Sequence, residues 1–335
     1  MRRSLARRLL PALGAASLTL AGPLLDADGA VRAQSAGPPL AGAPTSPAAA
    51  WAVLSMPGTA RGAALGGAYA AVVGDEGSVF VNPAGMAAVR HAALGLSFQP
   101  YAQGASLATG AAAARVGSFD VGIGAHVLEY GQDTVLRPAP GFTGATTSAY
   151  GAAAVGAAAY RFGMFSVGAS GTYVRDHVAT ADSTLYDASG LGFDVGGALA
   201  FFDIAAFGVV VQNVGSAFSG GSGARAPLPR AVRAGFSLNI VDPEGTTRLM
   251  VVGDWISPRG GSDYWEFGLE GGLVSQGGIG VIGRVGVGTD DAPADRRALA
   301  YGAGVVLGNL WLDWAYQRTS LLGGGSSRFG LRWVP

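Results

Sequence analysis

From about residue 92 onward, the apolar residues of this chain fall on alternate positions, the period of a strand whose two faces meet different surroundings. Val232, Ala234, Phe236, Leu238 and Ile240 make one face, and Arg233, Gly235, Ser237 and Asn239 the other. Trp265, Phe267 and Leu269 alternate with Glu266, Gly268 and Glu270, as Leu310, Leu312, Trp314 and Tyr316 do with Asp313, Ala315 and Gln317. Phe329, Leu331 and Trp333 oppose Arg328, Gly330 and Arg332. The pattern recurs at Phe119 to Val127, Phe165 to Tyr173, Leu191 to Leu199, Phe207 to Val211 and Leu299 to Leu307. It predicts about fourteen strands of about ten residues, the length that crosses a bilayer at a barrel's tilt. An even count returns both ends of the ladder to one side.

The connections alternate too. Those after odd-numbered strands read as long, at Gly131 to Ser148, Asp176 to Gly190, Gly215 to Pro229 and Thr289 to Arg297. Those after even-numbered strands read as short turns near Gly117, Gly163, Asp203, Pro243, Gln276 and Gly308. Long outer loops and short periplasmic turns are the habit of transmembrane barrels.

Composition sharpens this reading. Only 13% of the 335 residues are charged, about half the share that solvates a soluble domain. After residue 25 no uninterrupted apolar run is long enough for a spanning helix. Only helices and closed barrels satisfy every backbone N–H and C=O in lipid, which leaves an all-β, antiparallel transmembrane barrel. Arg233, Glu266, Glu270, Asp313 and Arg332 then point into the lumen, because an Arg or Lys facing mid-bilayer costs about 2 to 4 kcal/mol. Glycines such as Gly122, Gly124, Gly168, Gly302 and Gly304 share that inner face and leave room within it. A net charge of zero gives no support for a nucleic-acid partner. The lack of cysteine removes disulfides, thiolate metal sites and cysteine nucleophiles.

Residues 1–33 read as a secretory signal peptide. Arg2, Arg3, Arg7 and Arg8 form its basic head, Leu9 to Leu25 its apolar stretch, and cleavage is expected after Ala33. Residues 34–50, rich in Pro, Ala, Gly and Ser, read as a flexible leader.

Residues 51–91 break the strand period. Ala64, Leu65, Ala68, Tyr69 and Val72 fall at helical spacing, which predicts a short helix followed by a turn at Asn82-Pro83. Asn82 can bond the backbone ahead of it, Pro83 fixes its own φ, and Gly85 is expected to permit a strained conformation. Arg61, Gly66-Gly67, Ala68-Tyr69, Asp75 and Asn82-Pro83-Ala84-Gly85 resemble the N-terminal signature of the PorV/PorQ group of barrels, which itself resembles the FadL hydrophobic-substrate channels. Val211-Gln212-Asn213-Val214-Gly215, Pro227-Leu228-Pro229 and Leu312-Asp313-Trp314-Ala315-Tyr316 match as well, so the likeness spans nearly the whole mature chain. Two departures are Val81, where the group often has an aromatic, and Val334-Pro335 after Trp333.

The resemblance implies a fourteen-stranded barrel, residues 92–335, with a hatch at residues 51–91 in its lumen. Arg61, Gly66, Gly67, Asp75, Asn82, Pro83, Ala84 and Gly85 become its gating residues. It implies a non-enzymatic protein of the outer membrane of a diderm bacterium, reached by Sec-type export. The protein would be a hatch-gated conduit for hydrophobic small molecules, with no cofactor. The alternatives are a PorV-like component of type IX secretion that receives cargo proteins, and a structural barrel with a sealed lumen. Expected partners are outer-membrane lipid, the hydrophobic molecules or cargo, and the periplasmic barrel-assembly machinery.

Other motifs carry less. Gly278-Ile-Gly280-Val-Ile-Gly283 matches a dinucleotide fingerprint only in letters, since it lies within an alternating strand with no helix after it. His91, His126 and His177 lie in separate segments without metal spacing. No Gly-x-Ser-x-Gly elbow occurs, although a lipase site scattered over strands would escape such a search. Asp182 and Asp290-Asp291 read as solvated loop acids.

Overall fold

The computed structural model describes residues 48–135, 145–180, 184–202, 204–216, 218–220, 225–241, 246–319 and 324–335. The expected signal peptide, residues 34–47 of the expected leader, Asp182, Asp203 and Pro243 lie outside them.

Each alternating segment forms a strand. In chain order these are β1 Ala92–Pro100, β2 Ser106–Val116, β3 Phe119–Val135, β4 Ala145–Phe162, β5 Phe165–Thr180, β6 Thr184–Phe201 and β7 Ala205–Gly215. A small ribbon follows, β8 Phe218–Gly220 and β9 Arg225–Ala226. The second half holds β10 Ala231–Val241, β11 Thr247–Pro258, β12 Tyr264–Val274, β13 Ile279–Gly288, β14 Ala300–Leu307, β15 Leu310–Thr319 and β16 Gly324–Trp333. Setting the ribbon aside, fourteen strands pair antiparallel with their neighbours in sequence, β7 continuing to β10. β1 closes on β16, with Leu94 opposite Trp333 and Phe98 opposite Phe329. The result is a closed fourteen-stranded antiparallel barrel of the outer-membrane type.

Burial follows the pleat. Ile123, Val195 and Ile240 are each more than 60% exposed, whereas Glu266 and Asp120 are 1% exposed. A surface that shows Leu, Phe, Ile and Val outward and hides carboxylates suits hydrocarbon and not water. Aromatic side chains gather toward both edges of the apolar band. At the short-turn end Phe119 meets Tyr160 at 5.2 Å between centroids, and Phe162 stacks on Phe165 at 6.1 Å. At the loop end Tyr301 stacks on Tyr316 at 5.1 Å and Trp265 on Phe267 at 5.8 Å. Such girdles sit where an amphipathic ring is most stable, at the interface of lipid and water.

Two of the expected long loops are strand over the residues that are described. β3 with β4, and β5 with β6, run on past the apolar band, pairing as far as Val135 with Ala145 and Ala179 with Thr184. Thr146, Thr147, Ser148, Asp176 and His177 belong to these extensions. Beyond the membrane both faces of a strand meet water, so the apolar alternation that announces it fades while the ladder continues. The dinucleotide-like run is a turn at Gly278 (φ +77°) leading into β13, so its glycines stand in a strand and not at the start of a helix.

Candidate functional site

Residues 48–91 run inside this cylinder. Their first element is α1, Ala48–Ser55, which begins within the stretch expected to be leader. Val53 packs with Leu107, Leu128, Val174 and Leu228 near the loop end. One turn of helix follows, α2 Ala60–Ala64, whose start is capped by Thr59 accepting from the Gly62 N–H at 3.0 Å. The helix predicted across Ala64 to Val72 stops at Ala64, because Gly66 and Gly67 adopt φ of +70° and +95° and turn the chain. Leu65, Ala68, Tyr69 and Val72 are nevertheless buried together against Met250 and Val252. Two tight 3₁₀ turns complete the segment. Asp75 caps Glu76–Phe80 through the Gly77 N–H, and Asn82 caps Pro83–Ala88 through the Ala84 N–H at 3.2 Å. Gly85 does not take positive φ as expected. Its hydrogen is required because a Cβ would run into the Val72 carbonyl and stand 2.8 Å from the Ser78 hydroxyl.

Polar ties hold the segment around much of the wall. The carboxylate of Asp254, on β11, accepts from the N–H groups of Tyr69 and Ala70 at 2.8 and 2.9 Å. Ser237 donates to the Ala71 carbonyl, Gln212 to Val81, Ser166 to Ala84, Arg115 to Ala87 and Thr109 to Gly58, each at 2.8 to 3.0 Å. Asn82, fully buried, donates to the carbonyls of Ala70 at 2.8 Å and Gly197 at 3.2 Å. Apart from the bond to Gly197, each satisfies a backbone group of the irregular segment.

The charged residues expected in the lumen form two buried clusters. In the first, Arg61 grips Glu270 with Nε and Nη2 at 2.8 and 3.0 Å and reaches Asp75 with Nη1 at 2.8 Å. Arg284 joins Glu270 to Asp313, and Arg332 binds Asp75 at 2.6 Å while lying over the Trp311 ring. In the second, Arg233 pairs with Glu266, lies 3.4 Å from Asp254, and donates to the Gly67 carbonyl at 3.1 Å. Arg296, from a short helix in the loop after β13, donates to the Gly66 and Ser55 carbonyls. The structure thus groups Arg61, Asp75, Glu270, Asp313 and Arg332, and separately Gly66, Gly67, Arg233 and Glu266. Asn82, Pro83, Ala84 and Gly85 sit apart from both, against β5 and β6.

Arg284, Asp254, Arg296 and Glu76 escaped the sequence reading. Glu76 is 2% exposed and its Oε2 has no hydrogen-bond partner. Burial, reinforced by the adjacent Asp75, pushes its carboxyl up to about 8, against the pull of Arg332 and Arg61. Asp75 goes the other way: burial raises it, but Arg332 and Arg61 more than offset this and hold it below its usual value. An undocked segment would return Glu76 to about 4.5, so docking takes up a proton between about pH 4.5 and 8. Glu76 therefore favours docking fully below that window, and the advantage is lost as pH rises through about 8. The contribution of Asp75 is present above its ordinary 3.8 and is lost as pH falls below it. Thiol labelling of Ala68→Cys, a buried position, reports release. The ratio of its rate in wild type to that in Glu76→Gln, from which the thiol's own titration cancels, should be small at about pH 5, near the foot of that window, and should climb steeply by about pH 9. A flat ratio removes Glu76 as the titrating group.

Fold and inner face together define a transmembrane β-barrel that encloses its own N-terminal segment. No protein-family model and no curated protein matches the sequence. Solved structures do. The toluene transporter TbuX of Ralstonia pickettii is similar at 14% identity and a TM-score of 0.54, over 84% of this chain and 99% of that one. A FadL homologue of Pseudomonas aeruginosa is similar at 13% and 0.55, over 82% and 98%. The P. putida toluene transporter TodX gives 13% and 0.52, over 82% and 96%. At such identities the likeness is one of fold.

Proposed function

We propose that the protein is a non-enzymatic conduit of the outer membrane of a diderm bacterium, carrying hydrophobic small molecules, with residues 51–91 as its hatch. The observation that carries this reading is the attachment of the segment. It is held by side-chain hydrogen bonds and ion pairs along both halves of the barrel, in a chain whose fold is that of hydrocarbon channels. Such contacts can be exchanged for water one after another, whereas a covalent or continuous β attachment could not be. The gating set is then Arg61, Gly66, Gly67, Asp75, Asn82, Pro83, Ala84 and Gly85, and the lumen charges Arg233, Glu266, Glu270, Asp313 and Arg332 are its docking wall. A PorV-like part in type IX secretion rests on the sequence resemblance alone.

Asn82→Ala strips hydrogen bonds from the buried carbonyl of Ala70, at about 1 to 3 kcal/mol if that group is left unpaired, and from the half-buried carbonyl of Gly197. Uptake of a hydrophobic dye by cells should fall on deletion of the gene and rise above wild type in Asn82→Ala. Uptake unchanged in both strains would sink the conduit reading. Loss of surface proteins from the deletion strain, with normal uptake, would shift the assignment to secretion.

A further inference from the structure

At the loop end of β10 and β11 two exposed arginines face each other. Ala231 pairs with Pro258, and one further rung follows, in which the Arg259 N–H donates to the Arg230 carbonyl at 2.8 Å. That bond sets Arg230 opposite Arg259. The alternation along each strand gives their direction. Arg233 and Asp254 point into the lumen, so Arg230 and Arg259, each an odd number of positions away, belong to the outward face with Val232 and Trp255.

Like charges opposite one another destabilise a ladder. Other arginines that reach the surface are relieved within the chain: Arg175 by Asp187 at 2.5 Å, and Arg115 by Asp120 at 3.1 Å. Among the described residues neither Arg230 nor Arg259 has such a partner, although Asp263 is exposed in the loop after β11. Their backbones are nevertheless fixed. The Arg230 N–H donates to the Leu228 carbonyl at 2.7 Å, and the side-chain amide of Asn213 holds the Pro229 carbonyl at 3.0 Å. The Gly261 N–H closes a turn on Pro258, which Gly260 permits with φ +85°.

Below this pair the outward face is aromatic. Trp255 lies across from Trp265, which stacks on Phe267. An aromatic belt marks the headgroup level of a bilayer, so charges beyond it stand among lipid phosphates. The planar fork of a guanidinium suits phosphate better than any other side chain does.

We propose that Arg230 and Arg259 together hold the phosphate of an outer-leaflet lipid. This needs the loop end to face outward, and does not need the lumen to conduct. The phosphate relieves the repulsion between the two guanidinium groups. The acyl chains of the lipid lie along the apolar wall beneath and keep its phosphate at a high effective concentration, which a free ion lacks.

Native mass spectrometry of the full chain in detergent, titrated with diphosphorylated lipid A, tests the proposal. Wild type should bind this lipid at least about tenfold more tightly than the same lipid stripped of phosphate. The double variant Arg230→Gln, Arg259→Gln should lose at least about tenfold in affinity, and the double change to Lys should lose less, because it keeps the charge and gives up the fork. Arg318→Gln removes a single exposed arginine at the loop end of β15 and should bind as wild type does. A heat-dependent shift in gel mobility checks that each variant has assembled. Equal binding of the two lipids overturns the proposal, as does wild-type affinity in the assembled double Gln variant. An equal loss in Arg318→Gln overturns it too, since net charge alone would then decide binding. Displacement of the lipid by inorganic phosphate at about a hundredfold excess would make this a site for a free anion and overturn the lipid assignment.

Discussion

Arg61→Ala is expected to free the N-terminal segment while leaving the barrel assembled. Among the described residues, the guanidinium is the one group that holds Asp75, on the segment, and Glu270, on the wall, at the same time. Removing one member of a buried ion pair costs about 3 to 5 kcal/mol. The lower end applies here, because Arg332 still neutralises Asp75 and Arg284 still neutralises Glu270. About 3 kcal/mol multiplies the released population by more than a hundred. With no native cysteine in the chain, a thiol placed by Ala68→Cys is the sole target of a maleimide, and Ala68 is fully buried when the segment is docked. Labelling should therefore accelerate by about two orders of magnitude in Arg61→Ala. It should accelerate less in Arg61→Lys, which keeps the charge and loses the forked grip on Glu270. Arg259→Ala, an exposed arginine in the loop after β11, should change nothing. Equal labelling in Arg61→Ala and wild type would remove Arg61 from any gating role.

The sequence announces the wall where lipid and water divide the two faces of a strand, and falls silent where they do not. Trp265 to Glu270 reads plainly because Trp265, Phe267 and Leu269 meet lipid while Glu266 and Glu270 meet guanidinium groups. Leu249 to Ile256 does not. Met250 and Val252 point inward yet are apolar, because they pack on Leu65, Tyr69 and Val72. The strand thus reads as one continuous apolar run, and Asp254 is hidden in it. Arg284 shares the inner face of β13 with Gly280, Ile282 and Gly286, so no polar alternation marks it. Arg296 comes from a loop, where no periodicity exists to fix its direction. The segment itself was half legible. Its capping residues Asp75 and Asn82 and its Gly66-Gly67 turn stand out by type, whereas the apolar spacing of Leu65 to Val72 imitates a helix that those same glycines forbid.

The inner-wall glycines, legible as empty space, are filled space in the structure, and this yields the second large effect. A Cβ at Gly286 would overlap the backbone of Leu65 and Gly66, and one at Gly208 the carbonyl of Ala70. At Gly168 it would stand 2.6 Å from the carbonyl carbon of Pro83. The obstacles are backbone atoms of the segment, which cannot swing aside as a long side chain could. Each glycine to valine change should cost docking about 1 to 3 kcal/mol through overpacking. On three separate strands the costs should nearly add. The triple variant Gly168→Val, Gly208→Val, Gly286→Val should consequently expose Ala68→Cys to maleimide at least as fully as Arg61→Ala does. Strand pairing itself should survive, since β-branched residues suit strands. A heat-dependent shift in gel mobility checks that the barrel has assembled. Gly156→Val serves as the control, because a Cβ there meets nothing within 4 Å. An assembled triple variant whose thiol stayed protected would show that these glycines are not the bed on which the segment rests, and that the polar ties position it unaided.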